Sequence, residues 1–137
     1  MLLRLFLSAA LACGLFAMSA AALAEMADAR MFTGKTAQRY RIKAAVNDRS
    51  VKLLRFNIKL SCRDGSTLIL AESGFLRTPV RRNGAFRDAQ FGRTDAVRFR
   101  GRLSRNSLRG KVRVIDKPRK GVACKSRWVA FRAKPRR

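Results

Sequence analysis

The 137-residue sequence contains no histidine and only eight acidic residues. Histidine is the commonest general base and a frequent neutral metal ligand, so its absence removes the usual basis for Ser–His or Cys–His catalysis. Few acids and few thiols also leave too few ligands to fill a four-coordinate zinc site. We therefore expect no metal, no cofactor and no enzymatic activity.

One acidic pair offers a remaining catalytic arrangement. Asp88 and Asp95 lie in the same stretch of chain and could approach each other as a paired acid and base. Arginines flank both positions, however. We expect the two aspartates to act as counter-charges to Arg87, Arg93 and Arg98.

Long apolar runs are confined to the N-terminus. Arg4 precedes an apolar stretch from Leu5 to Leu15, and small residues follow up to Ala22-Leu23-Ala24. A basic start, an apolar middle and a small-x-small end are typical of a secretory signal. The sequence predicts a helical signal peptide over 1–24, cleavage between Ala24 and Glu25, and a periplasmic or extracellular product.

Two other interpretations of this segment stay open. Leu5 to Ala24 is 20 residues, which is long enough to span a bilayer without cleavage. The residues around Cys13 also resemble a lipoprotein box weakly, because Ala10 stands where such a box has leucine. The Ala-x-Ala ending favours cleavage over both.

Basic charge dominates the remainder. The chain has 32 Lys and Arg residues and a formal charge of +24. Removing residues 1–24 takes away one arginine and no acid, which leaves +23 on 113 residues. That length suits one domain, 25–137, with the ordered part about 31–133.

The cysteine count becomes even once Cys13 leaves with the signal. Cys62 and Cys124 then remain in an oxidising compartment, where paired thiols form disulfides. The sequence predicts a Cys62–Cys124 bridge, with two free buried thiols as the alternative.

The dominant hydrophobic period is two. From Leu54 to Cys62 the even positions are apolar and the odd ones polar, and the same alternation occurs in 39–43, 97–103 and 108–114. Turn signals separate these runs, and Asn83-Gly84 is the clearest, being typical of a type I′ hairpin. The spacing predicts an all-β domain, an antiparallel sandwich or barrel of about eight short strands.

Several short motifs carry a family resemblance. They are Cys62-x-x-Gly65, Asn83-Gly84-x-Phe86, Phe99-x-Gly101 and Cys124-x-Ser126-x-Trp128. In this order they resemble small secreted bacterial β-sandwich proteins of unassigned function, over about 32–131. The resemblance implies a fold and an export route, and it implies no activity. Arg39 and Arg127 stand where that group often has glycine.

The strongest functional feature of the sequence is the set of like charges that would lie opposite one another on neighbouring strands. If 97–103 and 108–114 form a hairpin, their alternating basic residues share one face, and a nearby strand 39–43 would extend it. A surface of this kind favours an anionic partner, since like charges across a sheet are destabilising and bound polyanions release counterions. The predicted anion-binding residues are Arg98, Arg100, Arg102, Arg109, Lys111, Arg113, Arg39, Arg41 and Lys43.

The partners that fit are anionic lipid, lipopolysaccharide or another phosphate-rich polymer of the cell envelope. Nucleic acid is expected to bind only non-specifically, because stacking platforms need exposed aromatics among the cations. Trp128 shares its parity with Cys124, which predicts an indole packed on the disulfide. The alternative is a structural or accessory envelope protein that binds another protein and whose charge is incidental.

Overall fold

The computed structural model describes residues 29–47, 49–117 and 121–137. The expected signal segment, its cleavage point after Ala24 and the thiol of Cys13 lie outside these residues. The described part is all-β, as predicted. Its ten strands are β1 (Arg30–Thr36), β2 (Arg41–Val46), β3 (Ser50–Cys62), β4 (Thr67–Ser73), β5 (Thr78–Pro79), β6 (Ala85–Phe91), β7 (Asp95–Ser104), β8 (Ser107–Asp116), β9 (Cys124–Lys125) and β10 (Val129–Pro135).

Six of these strands close an antiparallel barrel. Its order is β10-β1-β2-β3-β9-β8, and the pairing of β8 with β10 completes the ring. Closure joins distant parts of the sequence, because Phe32 on β1 lies opposite Pro135 on β10. The expectation of a sandwich or barrel is therefore resolved as a barrel with additional strands.

The additional strands extend from the outer edges of β3 and β8. β4 and β5 pair with β3, while β7 pairs with β8 and β6 pairs with β7. Phe75, which follows β4, stacks on Phe56 of β3 with ring centroids 5.5 Å apart and meets Phe99 of β7 edge-on at 6.2 Å. These aromatic contacts join the extension to the barrel core.

The inward alternation predicted for β3 is interrupted at one point. Lys43 of β2 lies opposite Arg55, but Ala44 lies opposite Leu53, so Leu54 is an extra residue at a β-bulge. Val51 and Leu53 therefore point inward before the bulge, while even positions from Phe56 onward do so after it. The expectation that Leu54 begins the inward row was wrong, because a bulge reverses the parity.

The predicted disulfide is present. Cys62 at the end of β3 lies directly opposite Cys124 of β9, and the two Cα atoms are 3.9 Å apart. The bridge thus links the short strand β9 covalently to β3, its neighbour in the barrel. It is consistent with an oxidising, exported environment.

A turn occurs at Asn83-Gly84, though not of the predicted type. Gly84 has a φ of 83°, but Asn83 is not in the left-handed region that a type I′ turn requires at both central positions. The Asn83 side chain instead accepts a hydrogen bond from the backbone N–H of Ala85. The backbone N–H of Gly84 also donates to the carbonyl of Arg81 at 2.8 Å, so backbone and side-chain bonds together form the turn.

Two glycines allow close approach in the hairpin of β7 and β8. A Cβ on Gly101 would lie 2.6 Å from the ring of Phe86, and one on Gly110 would lie 2.6 Å from the ring of Phe131. Both rings occupy space that a side chain would fill. Glycine at these two positions therefore lets each ring lie over the neighbouring strand.

Candidate anion-binding surface

β7 and β8 form the hairpin that the alternation favoured, and its register places like charges directly opposite. The opposed pairs are Arg98 with Arg113, Arg100 with Lys111, and Arg102 with Arg109. Most of these side chains are exposed, and Arg113 is half-buried. The predicted charge opposition is therefore a feature of the folded sheet.

One line of cations continues across the neighbouring strands. Arg109 lies opposite Arg132 on β10, Arg132 lies opposite Lys35 on β1, and Lys35 lies opposite Arg41 on β2. All members of this line are exposed. We call it the basic row; it comprises Arg102, Arg109, Arg132, Lys35 and Arg41.

The basic row crosses five hydrogen-bonded strands with a cation on each. Strands lie about 4.8 Å apart, so the row is about 19 Å long when followed along the surface. Four of its strands, β8, β10, β1 and β2, belong to the six-stranded barrel. The row therefore wraps around the barrel, and its outer charges point in different directions.

The remaining predicted residues lie beside the row or away from it. Lys43 on β2 is one outward position further along the strand and lies opposite Arg55 of β3. Arg39 is not on a strand at all: it lies in the β1–β2 turn with a φ of 68°. The expectation that Arg39 shares a strand face with Arg41 was wrong, because the strand begins only at Arg41.

A shallow groove of about 650 Å³ runs beside the basic row. Arg100 and Lys111 line it together with four members of the row, and Ala130 also belongs to its lining. None of the described residues that line it is acidic. The groove therefore offers concentrated positive charge with space for an elongated anion.

Trp128 does not pack on the disulfide as its parity predicted. The backbone N–H of Ser126 donates to the carbonyl of Val114 on β8, and the backbone N–H of Val114 donates to Ser126 Oγ, both at 2.9 Å. Val129 lies opposite Val112. The three residue steps from Ser126 to Val129 thus span the same length as the two from Val114 to Val112, so this segment contains one extra residue. The insertion reverses the parity, and Trp128 is half-buried with Arg100 Cζ 4.7 Å from its ring centroid.

Trp128 also lines a second groove, of about 730 Å³, which Arg100 does not line. Four cations from separate segments converge there, and we call this site the Trp128 groove. Its described lining residues are Gln38, Lys59, Ser61, Arg113, Lys125, Ser126, Arg127, Trp128 and Val129.

Three acids lie close together: Glu72 on β4, Asp95 on β7 and Asp116 on β8. Glu72 is only 7% exposed, and burial, together with the nearby Asp95 and Asp116, raises its pKa to about 7. Asp88 instead accepts hydrogen bonds from Thr78 and Gln90. Asp88 lies opposite Phe99 on β7, four residues from Asp95, so the two aspartates are not paired with each other.

Several basic residues of these sites were missed from the sequence. Arg132 alternates with Val129, Phe131 and Ala133, and this period-two pattern was sufficient to place it outward. Lys35 and Arg127 carried no such signal, because a glycine and a bulge interrupt the alternation beside them. Their positions follow from strand pairings between distant parts of the chain.

Within the described residues, no helix has the length and apolarity needed to cross a lipid bilayer. In those same residues, no group of three or more His, Cys, Asp and Glu side chains could hold a metal ion.

Comparison with known proteins finds no match to this chain among family models, curated proteins or solved structures.

Proposed function

We propose that this protein is a non-enzymatic binder of anionic components of the cell envelope and that its Arg-rich strand face makes the contact. The observation that carries the proposal is the basic row, five exposed cations in direct cross-strand register. The resemblance to small secreted β-sandwich proteins and the expected signal peptide are in keeping with this role.

The basic row lowers the stability of the free protein. Like charges directly opposite on a sheet are each unfavourable by a few tenths to about 1 kcal/mol. A polyanion relieves that repulsion and releases its own condensed counterions on binding. Arginine further favours phosphate, because its planar guanidinium donates two parallel hydrogen bonds to phosphate oxygens.

The curvature of the row favours a flexible linear polymer over a flat surface. Because the row passes around four of the six barrel strands, a planar membrane could contact only part of it at once. A chain of linked phosphates can bend around the barrel and meet every cation in turn. We therefore favour a phosphate-rich polymer as the ligand over a lipid bilayer.

The test measures binding of linear polyphosphate and of anionic vesicles over a series of salt concentrations. A variant with Arg102, Arg109 and Arg132 changed to Gln should bind polyphosphate much more weakly and with a shallower salt dependence. The control carries Arg49→Gln, Arg63→Gln and Arg93→Gln, which remove the same charge from loops outside both grooves. Equal loss in both variants, or no polyphosphate binding by the parent even at low salt, contradicts the proposal.

A second candidate, binding to another protein, is favoured by a different surface. Leu76 and Phe91 are each 73% exposed, and the Gln90 side chain bonds both backbone groups of Leu76, which holds the Leu76 backbone beside the end of β6. Within the described part of the chain, β6 pairs with β7 alone. If this surface is an interface, Leu76→Ser with Phe91→Ser abolishes complex formation while polyphosphate binding is unchanged; a complex that survives the double change excludes it.

A further inference from the structure

We propose that the Trp128 groove binds a small phosphate ester that carries a ring, with the phosphates on its cations and the ring against the indole. This proposal goes beyond the proposed function, because no member of the basic row lines this groove. The ligand is a discrete molecule or headgroup, such as a nucleotide or a phosphorylated sugar, whose shared chemistry is phosphate next to a ring.

The anion preference rests on four cations that converge from separate segments. Lys59 comes from β3, Arg113 from β8 and Lys125 from β9, while Arg127 lies in the segment between β9 and β10. Of the described residues in the lining, none is acidic, so no carboxylate there neutralises these charges. Such a cluster is repulsive until an anion enters it.

Arg113 adds a donor that still lacks an acceptor. Its Nε is buried and has no hydrogen-bond partner among the described residues. A buried N–H left unsatisfied is unfavourable, and the guanidinium offers this donor together with its terminal N–H groups in one plane. Because this atom is shielded from solvent in the free protein, a phosphate oxygen would satisfy it only after a rotation of the Arg113 side chain.

The ring preference rests on Trp128. Arg100 lies over the indole from the neighbouring groove, at 4.7 Å from the ring centroid, and a cation in this position is attracted to the ring. The indole also lines the Trp128 groove, to which Arg100 does not contribute, and it borders a further cavity beside Arg87 and Arg98. One aromatic side chain supports one stacked ring, whereas a longer single strand would need successive aromatics.

The walls are held in place before any ligand arrives. The Gln38 side chain ties the β1–β2 turn to the backbone of Lys59 through bonds of 2.9 and 3.1 Å. Ser126 is fixed to β8 by its two bonds with Val114. A volume of about 730 Å³ lies within the usual range of small-molecule sites, and a preformed pocket loses less entropy on binding.

Trp128 is the only tryptophan of the chain, so its intrinsic fluorescence reports on this groove directly. The full protein with its disulfide intact is titrated with ADP, with glucose 1,6-bisphosphate and with pyrophosphate. We expect saturable binding of at least one ring-bearing phosphate, about five-fold or more tighter than pyrophosphate. The tighter of the first two ligands identifies the ring as a base or a sugar. Absence of saturable binding, or equal affinity for pyrophosphate, overturns the proposal.

Variants followed by calorimetry separate the groups involved. Trp128→Leu should reduce affinity for the ring-bearing ligand about five-fold or more and leave pyrophosphate binding unchanged. Lys125→Gln with Arg127→Gln should weaken both ligands, while Arg49→Gln with Arg93→Gln should weaken neither. Should Trp128→Leu fail to fold, Trp128→Phe replaces it, with a smaller loss expected. Unchanged affinity in a folded Trp128 variant refutes the role of the indole.

The same variants distinguish this site from the proposed function. Loss of Arg102, Arg109 and Arg132 should leave binding of the ring-bearing phosphate intact, because those residues lie outside the groove. Trp128→Leu should likewise leave polyphosphate binding intact. If the basic-row variant abolishes both activities, the groove is not a separate site and the inference fails.

Discussion

Arg102 on β7 lies directly opposite Arg109 on β8, and the same Arg109 lies opposite Arg132 on its other side. Arg109 is therefore placed between two like charges in the centre of the basic row. We expect Arg109→Gln to raise the free energy of unfolding by a few tenths to about 1 kcal/mol at low salt. Urea denaturation measures this difference.

The gain from Arg109→Gln should shrink as salt is added, because mobile ions screen exposed charges. Arg49→Gln is the control, since Arg49 is exposed in the β2–β3 loop and has no opposed cation on a paired strand. It should change stability little at any salt concentration. A loss of stability on removing Arg109 would show that the opposed charges are compensated in the free protein.

The disulfide should contribute strongly to stability. Cys62 and Cys124 are separated by 62 residues, and the chain-entropy relation for a loop of this size gives about 4 kcal/mol. We expect the double change to alanine to lower the free energy of unfolding by roughly that amount in denaturant titrations. Reduction of the parent should produce a similar loss. A change below about 1 kcal/mol would mean that β9 is held chiefly by its other contacts.

The buried carboxyl of Glu72 should make stability depend on pH. Burial first, and then the proximity of Asp95 and Asp116, raise its pKa from 4.5 to about 7. The folded protein therefore holds this proton more tightly than the unfolded chain does. The contribution of Glu72 to the free energy of unfolding should be largest below about pH 4.5. It should fall by about 1–3 kcal/mol as the pH rises to about 7.

Glu72→Gln removes this titration while keeping the shape of the side chain. The variant should be more stable than the parent at pH 8, and the two should converge near pH 5. Thermal unfolding at several pH values measures both effects. Parallel pH profiles for parent and variant would show that another group is responsible.

Gly110 should not tolerate a side chain. An added Cβ would lie 2.5 Å from the carbonyl oxygen of Arg100 and 2.6 Å from the ring of Phe131. We expect Gly110→Ala to lower the free energy of unfolding by about 1–3 kcal/mol, since overpacking displaces neighbours. Combining it with Phe131→Leu should cost less than the sum of the two single changes. Strict additivity in denaturant titrations would place the strain elsewhere.

Local alternation was sufficient to predict most strands and the charged hairpin, because side chains in a strand alternate regardless of what the strand pairs with. It failed at Leu54 and at Trp128, where one extra residue reverses the parity. Nothing in the neighbouring residues predicts such a bulge. Both bulges are seen only in the register with the partner strand.

The full extent of the charged surface likewise depends on which strands pair. Arg102 and Arg109 are close in sequence, so a hairpin brings them together. Lys35 joins Arg132 only because the two ends of the barrel pair, and Glu72 meets Asp95 and Asp116 only through tertiary packing. Local sequence patterns do not predict which strands pair when the two strands are far apart in the chain.

The pairing of β1 with β10 also sets the order in which the chain can fold. Phe32 has no native strand partner on that edge until the segment around Pro135 has been synthesised. During translation the first strands must therefore remain unpaired at this edge, with apolar side chains exposed, while about 100 residues follow. We expect such a nascent chain to depend on holding factors until release. Ribosome-bound intermediates shortened before β10 should be protease-sensitive across their whole length.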